Sequence, residues 1–259
     1  MGSGYLKIWG IPFISLFCSL VYGQIDTSEL NKANLVLKNR GEVYFFFHPV
    51  DSSLRKLSRI ISIDKVADTT AFAYANKKGF QLFLEYNKRF SVLPAPCFQN
   101  KLKHALTLTA AQSWNVYPTY DQYVTMMQQF ASTYPNLCQL SELGTTAKGR
   151  KLLALKISGN AGSSYKPAFF FASSIHGDEL TGYVLMLRLI DYLLANYNNN
   201  ATVTSILDSL EVWVLPLANP DGTYFGGNST VASATRSNGN SIDINRNVPD
   251  PAGGQHPDG

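Results

Sequence analysis

His176 and Glu179 stand three residues apart in the run His-Gly-Asp-Glu. An imidazole nitrogen and a carboxylate oxygen are both ordinary donors to a zinc ion. That spacing lets them share one ion if the turn between them is tight, and Gly177 permits a tight turn. The same residues also read as a helix start with acidic groups at its positive end. A second constellation, Asp243-Ile-Asn245-Arg246-Asn247, sets a guanidinium beside a side-chain amide. Such a pair can receive a carboxylate through two parallel hydrogen bonds and a third from the amide. Arg236 is the lone cation of the Gly/Ser/Thr/Asn-rich loop 226–241. Each arginine fits anion binding, and each also fits a solvated loop charge.

The elements that must position these groups follow from hydrophobic period. Residues 168–172 form an unbroken apolar run, as expected of a strand buried on both faces. His176 lies just beyond its end, where ligands collect in open α/β sheets. Residues 180–197 carry Leu180, Val184, Leu187, Ile190 and Leu194 at helical spacing. A second buried strand is expected over 211–217, followed by the turn Asn219-Pro-Asp-Gly222. Upstream, 120–133 reads as an amphipathic helix with Tyr123, Met126, Met127 and Phe130 on one face. Runs 138–144 and 151–157 suggest a hairpin around Ala147-Lys-Gly-Arg150, and 202–210 is helical in pattern. The class expected for 112–259 is α/β, with a mostly parallel mixed sheet and helices on both faces.

Ahead of it, 24–96 reads as a small α+β domain and linker. Within 41–95 the order is strand, helix, strand, strand, helix, strand, the split-βαβ arrangement. Pro94-Ala-Pro96 punctuates its end.

The 259 residues are 45% hydrophobic and 15% charged, enough apolar content for packed cores and too much for wholesale disorder. The net charge of +4 is spread along the chain without a Lys/Arg cluster, which argues against a nucleic-acid face. Lys7 followed by the apolar run 8–21 has the form of a secretory signal peptide over 1–23, with Gln24 starting the exported chain. The run is shorter than the roughly 20 residues a spanning helix needs, so no stable membrane span is expected after cleavage. Removal of Cys18 leaves Cys97 and Cys138, which either pair or leave Cys138 as a buried thiol.

Taken in order, several motifs resemble the zinc metallocarboxypeptidase family, of the carboxypeptidase A/B and N/E type and particularly its N/E-like branch. They are Tyr120-Asp-Gln-Tyr, Tyr134-Pro-Asn-Leu-Cys138, Gly149-Arg-Lys-Leu, His176-Gly-Asp-Glu179, Asn219-Pro-Asp-Gly222, Asp243-Ile-Asn-Arg-Asn247 and Pro249-Asp250. The resemblance implies a Zn2+ cofactor held by His176 and Glu179 as two of three ligands. It implies that Arg236 stabilises a developing oxyanion, that Asn245 and Arg246 receive the substrate's terminal carboxylate, and that Asp243 orients the His176 imidazole. The family's third ligand, a histidine, and its tyrosine and catalytic glutamate find no match here. His256 sits in a His-Pro-Asp-Gly setting that resembles a loop, and His48 and His104 fall outside the motifs. The expectation is therefore a C-terminally truncated catalytic domain that binds zinc weakly and hydrolyses little. The 41–95 unit is similar in layout to the activation domains of some of these peptidases. Expected partners are peptide or protein C-termini, for a monomer. Two other readings stay open: a non-catalytic module that grips peptide C-termini, and a zinc amidase acting on cell-wall peptides.

Overall fold

The computed structural model describes residues 25–49, 53–96, 102–162, 166–249, 251–252 and 254. The signal segment 1–23, Cys97 and His256 lie outside the described residues.

Alternating apolar residues build the smaller sheet. Its elements are β1 (Glu42–Phe47), α2 (Leu54–Leu57), β2 (Ser62–Ala67), β3 (Thr70–Asn76), α3 (Lys77–Tyr86) and β4 (Phe90–Leu93), in the order the sequence predicts. All pairings are antiparallel, with strand order β2-β3-β1-β4. Val43, Phe45 and Phe47 of β1 enter a core with Phe80, Phe83 and Phe90, and the Phe45 and Phe83 rings are 4.8 Å apart. Tyr44 and Tyr74 occupy the opposite face.

One helix escapes the periodicity. α1 (Thr27–Arg40) buries only Ala33 and Leu37, too narrow a stripe to stand out. Its ends carry the stronger signals. Asp26 accepts a hydrogen bond from the Ser28 N–H, and Gly41 closes the helix in the left-handed region at φ 75°.

The larger domain holds α4 (Leu108–Ala111), α5 (Tyr120–Thr133), β5 (Cys138–Thr145), β6 (Lys151–Ile157), β7 (Ala168–Ala172), α6 (Leu180–Asn196), α7 (Ala201–Ser209), β8 (Glu211–Leu215) and α8 (Pro220–Thr223). Its sheet is mixed, as expected, and runs β5-β6-β8-β7, but the described part is not mostly parallel: β5–β6 and β6–β8 are antiparallel and only β7–β8 is parallel, because the 138–157 hairpin supplies two of its strands. Leu153, Leu155, Ile157, Val212 and Val214 share a core with Tyr123, Met126 and Met127 of α5 and with Tyr183, Leu187 and Ile190 of α6. Each such fully buried side chain contributes on the order of 2 kcal/mol. Thr119 and Gln122 form a reciprocal capping box that starts α5. Cys138 is a buried free thiol whose pKa burial pushes up to about 12.

Two further expectations need correction. β7 is not buried on both faces: all five residues are exposed, with Phe169 at 54%, Phe170 at 52% and Phe171 at 37%. The reason is position, since β7 is the edge of the described sheet and pairs only with β8. Asn219-Pro-Asp-Gly is a short helix start rather than an open turn. Asn219 caps α8 by accepting from the Gly222 N–H, and Pro220 sits at its first position. No described helix is long and apolar enough to cross a membrane.

Candidate metal centre and anion site

Past the end of β7 the chain turns through His176–Glu179 into α6, and three contacts fix that turn. Ser174, in the left-handed region at φ 55°, donates its hydroxyl to the Glu179 carbonyl at 2.8 Å. The Thr223 hydroxyl donates to the Gly177 carbonyl at 2.7 Å. Gly177 itself lies so close to α8 that an added Cβ would stand 2.2 Å from the Gly222 carbonyl carbon. Its φ is not positive, so the glycine is required by close approach rather than by the turn.

This turn makes the two predicted metal donors converge. His176 Nδ1 lies 2.7 Å from Glu179 Oε1, and the His176 backbone N–H donates to Glu179 Oε2 at 3.3 Å. On the far side of the ring, Nε2 is 3.3 Å from Asp243 Oδ1 in ion-pair contact but without hydrogen-bond alignment. Asp243 also accepts from Arg236 Nε at 2.9 Å. Burial by itself would raise the Asp243 carboxyl, but the His176 imidazole and the Arg236 guanidinium hold it well below the usual carboxylate range. Burial likewise disfavours a charged His176, yet Asp243 and Glu179 together raise its pKa above the ordinary histidine value.

Arg236, 8% exposed, is reached from the other domain. Its Nε donates to Ser62 Oγ of β2 at 3.0 Å, and its guanidinium carbon lies 5.4 Å from the centre of the Tyr74 ring. Glu42, 3% exposed at the start of β1, accepts from the backbone N–H groups of Arg236 and Ser237 at 2.9 and 2.8 Å. Arg246 closes a 3-10 turn (Ile244–Arg246) that Asp243 caps by accepting from the Asn245 N–H at 3.0 Å. Its Nη2 donates to the Ile63 carbonyl at 3.4 Å, and Asn245 is exposed on the same turn. His176, Glu179, Asp243 and Arg236 therefore meet, with Arg246 and Asn245 on the adjoining turn.

Three contributors from the small domain, Glu42, Ser62 and Tyr74, have no local signature, and Asp178 lies inside the His-Gly-Asp-Glu motif without having been given a role. The Tyr74 hydroxyl donates to Asp178 Oδ2 at 3.5 Å, and burial together with nearby Glu42 pushes the Asp178 carboxyl up to about 6. Asp221, in the Asn-Pro-Asp-Gly motif, acts one step away. It accepts from Thr146 Oγ1, the Lys148 N–H and Arg150 Nη1 at 2.8, 3.0 and 3.0 Å, tying the β5–β6 hairpin to α8.

The donor set fits half of a tetrahedral zinc site. Two donors bonded to one zinc stand about 3.3 Å apart, so Nδ1 and Oε1 need to part by only about 0.6 Å from their present 2.7 Å. Asp243 lies on the correct side to take the Nε2 proton's hydrogen bond and leave the Nδ1 lone pair on the metal side. Among the described residues no group of three or more His, Cys, Asp or Glu converges on a metal position.

Comparison with known proteins gives the family and the fold. The family model described as zinc carboxypeptidase matches residues 123–258. Carboxypeptidase D from Mus musculus is 35% identical over 127 residues, 48% of this chain and 9% of its own length. Metallocarboxypeptidase A from Trichophyton tonsurans is 34% identical over 109 residues, 42% of this chain and 26% of its own. The chain thus spans well under a third of either relative. Among solved structures, thrombin activatable fibrinolysis inhibitor is similar with a TM-score of 0.51 at 14% identity, over 76% of this chain and 54% of that one. Carboxypeptidase A from Helicoverpa armigera gives 0.50 at 20% identity, over 77% and 53%. Either overlap is larger than 112–259 could supply, so the likeness in fold extends into the small domain.

Proposed function

The chain belongs to the zinc carboxypeptidase family, and from that premise we propose that it serves hydrolysis of peptides from their C-terminal end. The observation that carries this reading is the 2.7 Å convergence of His176 Nδ1 and Glu179 Oε1, with Asp243 behind the imidazole. A zinc ion, when bound, supplies a Lewis acid for the scissile carbonyl and an activated water. His176 and Glu179 would hold it, and Asp243 would keep the imidazole in the tautomer whose Nδ1 is a lone pair. Arg236 would stabilise charge that grows on the carbonyl oxygen, where a preorganised donor counts most. Arg246 and Asn245 would receive the terminal carboxylate, so that only the last residue reaches the metal.

Two features temper activity in the chain as it stands. Its described residues offer two of the three protein donors such a site uses, so zinc would be held weakly and turnover would be slow. The small domain also sits on the site: Ser62 and Tyr74 occupy the Arg236 side chain, and the Ile63 carbonyl takes the Arg246 guanidinium. Substrate entry would require that domain to give way, which makes it a shield. The Lys7 start and apolar run 8–21 support export.

The test measures zinc content and release of C-terminal residues from peptides by the purified chain, beside Glu179→Ala. Slow, zinc-dependent release that the variant abolishes is expected; release unaffected by chelator and variant would overturn the reading. A binding module is the second reading, favoured by the Asp243–Arg246 anion turn beside only two converging metal donors among the described residues. Calorimetry with peptides bearing free and amidated C-termini separates the two: tight, selective binding of the free acid without turnover assigns the module.

A further inference from the structure

Away from the metal centre, a cavity of about 260 Å³ opens between the segment after α4 and the outer face of α6. Its walls include Trp114, Val116, Tyr117, Val184 and Leu185, and Arg188 stands at its edge. Three observations give it the character of a built site. Trp114 has φ 62°, in the left-handed region that favours glycine, three residues past the end of the short helix α4. A bulky ring held there is an outlier, and such outliers gather where a side chain must be aimed. The wall is also anchored. The Tyr117 N–H donates to the Lys103 carbonyl and its own carbonyl accepts from the Ala105 N–H, both at 2.9 Å. Finally, the charge is one-sided. No acidic residue lines the cavity, and Arg188, exposed on α6, makes no hydrogen bond or ion pair among the described residues.

We infer that this cavity binds a small apolar carboxylic acid, its hydrocarbon body between Trp114, Tyr117 and Val184 and its carboxylate on Arg188. Mainly apolar walls with a few polar groups to fix orientation, here Asn115, Thr181 and Arg188, are the ordinary form of a small-molecule site. A guanidinium matches a carboxylate with two parallel donors, whereas a neutral amide of the same shape offers it a single weaker acceptor. The site is separate from Arg246, so it does not depend on the peptidase reading.

Calorimetry of the full chain with cyclohexanecarboxylate and with cyclohexanecarboxamide tests it. The acid is expected to bind at least about tenfold more tightly than the amide, a difference of about 1.4 kcal/mol. Arg188→Gln should erase that preference while keeping amide binding. Leu185→Glu, at an exposed rim position (55% exposed), should weaken the acid at least about tenfold and spare the amide. Arg246→Gln should leave the Arg188-dependent preference for acid over amide unchanged, since any carboxylate taken up at the anion turn is a separate event. Equal affinity for acid and amide, no binding up to about 10 mM in the folded protein, or loss of binding in Arg246→Gln with Arg188→Gln unaffected would each overturn the proposal. So would self-association in solution that Leu185→Glu abolishes, because the cavity would then belong to an interface between copies.

Discussion

The two halves of the candidate site are built in opposite ways. The metal half, His176 with Glu179, comes from one four-residue turn held by Ser174, Thr223 and the close packing of Gly177 on α8. The anion half, Arg236 with Arg246, is held in large part by another domain through Glu42, Ser62 and Ile63. A turn tied down by its own neighbours keeps its donors in place whatever the other domain does, whereas an arginine engaged across an interface is free for a ligand only when that interface opens.

The contrast can be broken most forcefully at Glu42. Glu42→Ala leaves two buried backbone N–H groups without acceptors, and should cost about 3 kcal/mol of stability in thermal or denaturant unfolding. The same variant should speed zinc-dependent cleavage if the small domain shields the site. Unchanged stability would show that the interface does not hold the arginine loop. His176→Ala attacks the other half and should weaken zinc at least about a hundredfold, read by competition with a chromophoric chelator, with little change in the domain contact. Asp243→Asn touches both halves. Losing the carboxylate behind the imidazole should lower zinc affinity about tenfold. It should also lower the His176 pKa, visible in the pH titration of its ring protons.

The smallest effect belongs to Asp178. Its folded pKa, pushed up to about 6, lies above the ordinary 3.8, so the folded state favours the protonated form. That contribution is fully present below 3.8 and is lost as pH rises through about 6. Asp178→Asn should therefore stabilise the protein by about 1 kcal/mol at neutral pH and flatten stability across that window. A wild-type pH profile already flat there would remove Asp178 from the interface argument.

Much of the fold was legible because apolar period is a local property. The helix 120–133, the hairpin, and the split-βαβ order of the small domain appear as the spacing predicts. α1 was not legible, since two buried residues make no periodic stripe and its caps, Asp26 and Gly41, are single residues. The burial of β7 was misjudged for a different reason. An apolar run reports what a strand tolerates on its faces, not whether other elements cover it.

For the site, residue types and spacing by themselves limited which groups could bind a cation and which an anion, because donor chemistry belongs to each side chain, and they left a helix start and solvated loop charges as open readings. The pairing of Asp243 with His176, 67 positions away in the chain, was implied by the family resemblance and not by any local pattern, and the tertiary structure supplies the 3.3 Å contact between them. It alone decided that Glu42 and Ser62 reach across some 170 to 195 residues to hold the arginine loop. Contacts of that separation are selected by packing two domains against each other, and no local pattern of residues encodes which surface will meet which.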